Sequence, residues 1–300
     1  MRSLRSRLFE LYLKRRTSRG RGATLAERRQ WLDAMSGRLP LPRGMDVERL
    51  TVAGRPSEWL RPRGGDARRA VLYLHGGAYT AGSLASHRAL AAGVAVASAC
   101  PVLLLDYRLA PEHPFPAALD DATAAFEWLC SSTVGLAPGC VAVVGDSAGG
   151  GLSVATALKL RDERRPLPGC VVALSPWMDL EVSGESVTSR ASVDPFFPLP
   201  DGLRESGRMY AAETSLRHPY VSPVHAELHG LPPLYLQVGD HEILLSDSET
   251  VARGARAAGT DVTLEVWPGM WHVWQALTRY VPEARRAMNQ VGAFVRARLG

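Results

Sequence analysis

The stretch that decides the fold is Val141-Ala142-Val143-Val144-Gly145-Asp146-Ser147-Ala148-Gly149. Four apolar residues rich in valine stop at a glycine, and helical periodicity begins at Ala148 and runs to about Arg161. A short apolar run bounded by a turn reads as a strand buried on both faces. The Gly145-to-Gly149 string fits G-x-S-x-G, in which glycines tolerate a sharp strand-to-helix turn and leave the serine hydroxyl exposed. Ser147 is therefore a candidate nucleophile, and the plain alternative is a serine that only caps a helix.

Outward from that turn the pattern repeats. Val71 to Leu74, Val102 to Leu105, Val171 to Leu174, Leu234 to Val238 and Val262 to Trp267 also read as buried strands. Helical stretches at about Ser86 to Ala99, Ala117 to Cys130, Asp247 to Ala258 and Pro282 to Leu299 lie among them. Strand alternating with helix predicts an α/β fold with a mostly parallel central sheet and helices on both faces. Upstream, Val47 to Ala53 and Glu58 to Arg61 predict an antiparallel pair at the sheet edge, joined through Gly54-Arg55-Pro56. Two regions break the alternation: residues 1–44, with a helix over Thr24 to Met35, and an insertion at about 185–220 that is rich in proline and aromatics. Together they predict a helical lid over a catalytic domain of residues 45–300.

Composition agrees with one large domain plus an appendage. The chain has 300 residues, 46% hydrophobic and 22% charged, which excludes collagen-like, coiled-coil and largely disordered classes. The net charge is 35 − 30 = +5, yet residues 1–22 hold eight basic side chains against the single acid Glu10, leaving 5 − 7 = −2 for the remainder. A general nucleic-acid-binding surface is not implied. Cys100, Cys130, Cys140 and Cys170 form no C-x-x-C pair and have no histidine at zinc-like spacing. They are expected to be buried free thiols, with no metal site. Gly93 and Pro101 split the uncharged stretch Ala89 to Leu105, and Glu10 interrupts Leu8 to Leu13, so neither a membrane span nor a signal peptide is expected and the cytoplasm is the expected compartment. Leu4, Leu8, Leu11 and Tyr12 recur at helical spacing among arginines, which suits a helix over the cleft or one lying on an anionic membrane; the lid is the favoured reading.

A serine hydroxyl needs a base with a pKa near 7, and histidine is the usual one. If the partners follow in the order serine, acid, histidine, only His241 and His272 lie late enough. His241 abuts the acid loop itself, whereas His272 follows the next strand in the loop Pro268-Gly269-Met270-Trp271 and is the expected base. The acid comes from Asp240, Glu242 or Asp247. Ser246-Asp247-Ser248-Glu249 reads as a capping box, which leaves Asp240 and Glu242 open on chemistry alone. Acyl transfer also needs donors for a developing oxyanion. His75-Gly76-Gly77-Ala78-Tyr79 follows a strand, and the hole is expected from the N–H groups of Gly76, Gly77 and Ala148.

His75-Gly76-Gly77, Asp106-Tyr107-Arg108-Leu109-Ala110-Pro111-Glu112, Gly145 to Gly150, Ser175-Pro176-Trp177 and the final His272 occur in order. Over about residues 25–300 the chain resembles the bacterial hormone-sensitive-lipase-like carboxylesterases, an α/β-hydrolase group. The resemblance implies an acid thirty positions before the histidine, which is Glu242, with Asp240 as rival; the family more often has an aspartate followed by proline and leucine, where this chain has Ile243-Leu244. Ala78 stands where a third glycine is common. The resemblance also implies that Arg108 and Glu112 brace the oxyanion loop; on spacing alone they would be a surface ion pair. Trp177, Phe196, Phe197, Tyr210, Trp271 and Trp274 are candidates for an acyl pocket, although each is more often core.

The expected function is a serine hydrolase of small short-acyl, acetyl-type esters or acetylated metabolites. It needs no metal or organic cofactor, no nucleic-acid partner and no stable membrane insertion, and is compatible with a homo-oligomer. Two other readings stand beside it: an N-acetyl deacetylase of an antibiotic intermediate, and a non-catalytic small-molecule receptor on a hydrolase fold.

Overall fold

The computed structural model describes residues 2–17, 24–197 and 200–300. Eight strands, β1 (Met45–Val52), β2 (Arg55–Pro62), β3 (Ala70–Leu74), β4 (Val102–Leu105), β5 (Val141–Asp146), β6 (Cys170–Leu174), β7 (Leu234–Gly239) and β8 (Val262–Trp267), form one sheet in the order β1-β2-β4-β3-β5-β6-β7-β8. β2 is antiparallel to both β1 and β4, and every other pairing is parallel. Strand order reverses between β4-β3 and β5, so the loops leaving β3 and β5 part to opposite sides and leave a crevice at their carboxyl ends.

The period-2 geometry of a strand sends alternate side chains to two cores. Leu72, Leu74, Val141, Val143, Val171, Ala173 and Leu236 face a core shared with helices α4 (Ala117–Cys130), α5 (Ala148–Asp162) and α8 (Leu245–Ala257). Val71, Tyr73, Ala142, Val144, Val172 and Leu174 face a second core made with α3 (Leu84–Ser98) and α9 (Pro282–Arg298). Because both faces are covered, these strands read as continuous apolar runs rather than alternating ones. At about 25 cal/mol per Å², burying each such Val or Leu contributes roughly 1.5 to 3 kcal/mol.

Local chemistry moved several boundaries. The β1-β2 turn is Ala53-Gly54, at φ 48° and 77°, with Val52 paired to Arg55, so Arg55 and Pro56 belong to the strand rather than to the turn. A two-residue turn with both central φ positive matches the twist of its flanking strands. α3 begins at Leu84 because Ser83 caps it in a box with Ser86. Thr24 and Glu27 form the capping box of α2 (Leu25–Ser36). Ser246-Asp247-Ser248-Glu249 is not a capping box: α8 starts at Leu245 with no side-chain cap, and Asp247 instead accepts the Met178 and Asp179 N–H groups at 2.7 and 2.8 Å. Burial, with Asp179 close by, pushes the Asp247 carboxyl well above the usual carboxylate range. Cys100 and Cys170 are buried free thiols, but Cys130 and Cys140 are only half-buried.

The N-terminal helix α1 (Leu4–Thr17) docks through Ser3, whose N–H and hydroxyl donate to Glu283 at the start of α9, and through Leu13, which joins Met270, Trp271 and Trp274. The insertion carries α6 (Ser186–Ser189) and α7 (Asp201–Ala211). α7 reaches the loop after β3, where Ser206 Oγ lies 3.3 Å from Thr80 Oγ1 and Tyr210 stacks on Tyr79 with ring centroids 3.8 Å apart. Arg28 of α2 pairs with Glu205 of α7 at 3.4 Å. Among the described residues no helix is long and apolar enough to cross a membrane.

Candidate active site

Ser147 stands at the carboxyl end of β5 with φ 53° and ψ −123°, a conformation that strains a non-glycine residue by about 1 to 3 kcal/mol. The strain is held by backbone bonds: the Ser147 N–H donates to the Leu174 carbonyl at 2.9 Å, and its carbonyl accepts from Trp177 and Gly151 at 2.9 and 3.1 Å. The turn closes only without side chains, since a Cβ on Gly149 would lie 2.0 Å from the Leu74 carbonyl oxygen.

His272, delivered by the loop after β8, points Nε2 at the Ser147 hydroxyl at 3.0 Å. Its other nitrogen, Nδ1, donates to Glu242 Oε2 at 2.9 Å. Glu242 is fully buried, and its second oxygen accepts from the Gly239 N–H and the Ser175 hydroxyl, both at 2.7 Å. A buried carboxylate with three donors is satisfied without a metal or a lysine. Asp240 points elsewhere and accepts from the Gly269 N–H, while His241 binds Glu10 at 3.2 Å. Of the two acids left open on chemistry alone, Glu242 is the one brought to the imidazole.

The loop after β3 holds Gly76 against the serine: a Cβ there would lie 3.1 Å from Ser147 Cβ. One expected donor must be corrected. The Gly76 N–H already donates to Asp146 Oδ1 at 3.2 Å and is turned inward. Gly77 and Ala78 N–H, by contrast, have no acceptor among the described residues, nor does Ala148 N–H at the start of α5. The donors available to an oxyanion are thus Gly77, Ala78 and Ala148. Ala78 fills its position at φ 54° without the third glycine common in the resembling family.

Several residues that support this loop were not assigned a role from the sequence. Asp146 is buried, accepts from the Tyr73 hydroxyl at 2.7 Å, and lies 3.4 Å from His87 Nε2 on α3. Burial opposes its ionisation, but His87 and the Tyr73 hydroxyl hold its carboxyl below the usual range. His75 stacks between Tyr107 and His87 and burial pushes its pKa down to about 3, so the ring stays neutral. Arg29 on α2 donates to the Thr80 and Ala110 carbonyls at 2.7 and 3.0 Å and forks onto Glu112. Glu112 therefore braces the loop through Arg29. Arg108 forks onto Asp121 instead, and the Arg108–Glu112 pair does not form. The one available signal was the position of Asp146 beside the serine; Arg29 lies 51 to 83 residues from its partners and carried none.

The aromatic candidates divide. The Phe197 and Phe196 rings stand steeply inclined to the His272 ring, at 69° and 68°, with centroids 5.0 and 6.1 Å away. Asp194 fixes them, accepting both of their N–H groups on one oxygen and the Ile243 N–H on the other. Trp177, Tyr210, Trp271 and Trp274 are instead packed within the cores. Among the described residues one cluster brings metal-type ligands together, Asp179, Glu181 and His225. Its oxygens are already in use: Asp179 accepts from Glu181 and Ser183, and Arg217 donates to Glu181 at 3.1 Å.

Comparison with known proteins agrees with this fold. Residues 71–276 match the family model described as alpha/beta hydrolase fold. The chain is similar to an acetyl-hydrolase of Streptomyces hygroscopicus, 46% identical over 88% of this chain and 86% of that one. It is also similar to an esterase of Acinetobacter venetianus, 31% identical over the same shares. A crystal structure of an esterase from the bacterial hormone-sensitive lipase family superposes with a TM-score of 0.95 at 40% identity, covering 100% of both chains. Shared fold, shared length and the ordered motifs leave one assignment: the chain belongs to the α/β-hydrolase fold family and, within it, to the bacterial hormone-sensitive-lipase-like carboxylesterases.

Proposed function

We propose that this ester hydrolase cleaves small short-acyl esters, of the acetyl type, through a covalent acyl-enzyme on Ser147. The observation that carries the reading is the continuous chain Ser147 Oγ, His272 Nε2, His272 Nδ1, Glu242 beside a loop with unspent N–H groups. In this reading Ser147 Oγ attacks the acyl carbon while its proton passes to His272 Nε2. Glu242 keeps the Nδ1 proton in place and stabilises the imidazolium. The N–H groups of Gly77, Ala78 and Ala148 take the oxyanion, each such donor contributing about 3 to 4 kcal/mol. The imidazolium then returns the proton to the departing alcohol. Water, deprotonated by the same nitrogen, attacks the acyl-enzyme and releases the acid.

Two things favour a short acyl group. Ser147 and His272 are each only 6% exposed, with Phe197 steeply inclined to the imidazole, and the Streptomyces relative is named an acetyl-hydrolase. In the same reading α2 and the insertion at 185–220 form a lid over the sheet, joined to each other by Arg28 and Glu205 and to the oxyanion loop by Tyr210. Free thiols at all four cysteines suit a reducing, cytoplasmic setting.

The test is a panel of p-nitrophenyl esters from acetate to octanoate, with N-acetylated amino acids alongside, on wild type and Ser147→Ala. Hydrolysis of acetate faster than octanoate, none by the variant, and fluorophosphonate labelling of Ser147 are expected. A wild type that turns over no ester and takes up no label at Ser147 overturns the reading; turnover of the amides alone reassigns it to deacetylation.

A further inference from the structure

Helix α1 has two unlike faces. The inner one is fastened: Ser6, Glu10 and Leu13 are buried, and Phe9 packs against Tyr280 at 5.8 Å. The outer one carries Leu4, Leu8 and Leu11, which are 72%, 57% and 56% exposed. At 100° per residue these three fall within an arc of about 60°. Exposed Arg7 borders the stripe on one side and exposed Arg5 on the other.

The only acid in this region is turned away from solvent. Glu10 points inward, held by Arg2 at 2.6 Å, Lys14 at 3.1 Å and His241 at 3.2 Å. The outward field of α1 is therefore cationic, although the chain beyond residue 22 has a slight acidic excess. A lone exposed leucine needs no explanation, but three on one face bordered by arginines, with no outward acid, offer apolar and cationic contacts to the same surface, which an anionic lipid interface complements. Nucleic acid would set phosphates against the leucines, and a second copy would set Arg5 and Arg7 against their own like charges.

We infer that α1 docks this protein, peripherally, on an anionic lipid bilayer. The leucines enter the acyl boundary while Arg5 and Arg7 meet the headgroup phosphates. Leu13 packs with Met270 and Trp271, in the loop that carries His272, so docking holds that end of the sheet close to the bilayer. The inference is independent of the ester chemistry, because it concerns binding alone.

The experiment is flotation of the full chain with vesicles of phosphatidylcholine alone and with vesicles containing roughly one third phosphatidylglycerol. Wild type is expected to float with the anionic vesicles only and to be released by high salt. Leu8→Glu with Leu11→Glu is expected to lower the bound fraction on the order of ten-fold or more. Each of Arg5→Gln and Arg7→Gln is expected to lower affinity about five-fold. Circular dichroism should be unchanged in all of these variants. Failure of wild type to float, equal binding to neutral vesicles, or binding indifferent to the leucine changes overturns the inference. So does a wild-type dimer that the leucine changes dissociate while no vesicle is bound.

Discussion

Replacing Glu242 by glutamine tests the candidate site at its most exposed point of logic. Oε1 accepts two donors, the Gly239 N–H and the Ser175 hydroxyl, and Oε2 accepts the His272 Nδ1 proton. Glutamine keeps the shape but has only one oxygen. A backbone N–H can only donate, so the amide oxygen must face Gly239, since leaving that N–H unpaired at a fully buried position costs about 1 to 3 kcal/mol. The side-chain NH₂ then faces Nδ1, which must accept. The single ring proton moves to Nε2, the nitrogen 3.0 Å from Ser147 Oγ, and that nitrogen can no longer take the serine proton. The corresponding wrong-tautomer change in a Ser-His-Asp triad lowers kcat about 10⁴-fold. A loss of roughly 10³ to 10⁴ in kcat is expected here, about 4 to 5.5 kcal/mol of barrier, with KM changed less than about three-fold. The assay is steady-state hydrolysis of p-nitrophenyl acetate, with thermal unfolding as the control for the fold. Asp240→Asn, which disturbs the Gly269 contact and a 4.0 Å pair with His241 but not His272, should cost less than about five-fold. A folded Glu242→Gln variant that keeps more than a tenth of wild-type kcat, or an Asp240→Asn variant that loses more than Glu242→Gln, would remove Glu242 from this role.

Two further outcomes follow from packing and burial. Gly149→Ala would place a Cβ 2.0 Å from the Leu74 and 2.5 Å from the His75 carbonyl oxygens, so it should destabilise by about 3 kcal/mol or more, whereas Gly139→Ala, with nothing within 4 Å, should stay within about 1 kcal/mol; equal urea midpoints would contradict this account of the turn. His75 has a folded pKa of about 3 against its ordinary 6.5, so the unfolded chain binds its proton first; the stability it contributes is complete above pH 6.5 and falls by about 1.4 kcal/mol per pH unit toward pH 3. Urea unfolding of His75→Asn should therefore lose roughly 2 kcal/mol less than wild type between pH 7 and pH 5, and an identical pH slope would place the sensitivity elsewhere.

The oxyanion loop illustrates how distant elements share one task. Asp146 holds its inner edge through Gly76, Arg29 holds its Thr80 carbonyl from α2, and Tyr210 stacks on it from α7. Each contact fixes backbone whose unspent N–H groups must be aimed before a charge develops, which is where preorganisation has its effect.

Fold class and the serine turn were legible because their signals are local: apolar runs of strand length, small residues at a strand-to-helix turn, and helical spacing after it. Chain order left His241 and His272, and the position of His272 in the loop after the next strand made it the expected base. The choice between Asp240 and Glu242 was not legible in the chemistry, since both lie just past β7 and either carboxylate suits it; the thirty-residue spacing implied by the resemblance pointed to Glu242, and the path of the loop turns that side chain inward to Gly239, Ser175 and His272. The same holds for Gly76, whose N–H is claimed by Asp146, and for Asp247, whose sequence reads as a helix cap but whose carboxylate is buried under the Met178 and Asp179 amides. Periodicity and turn chemistry act over a few residues and are written in the chain itself. Which donor meets which acceptor across tens or hundreds of residues depends on how buried polar groups are jointly satisfied, and that is set only when the sheet and helices have packed.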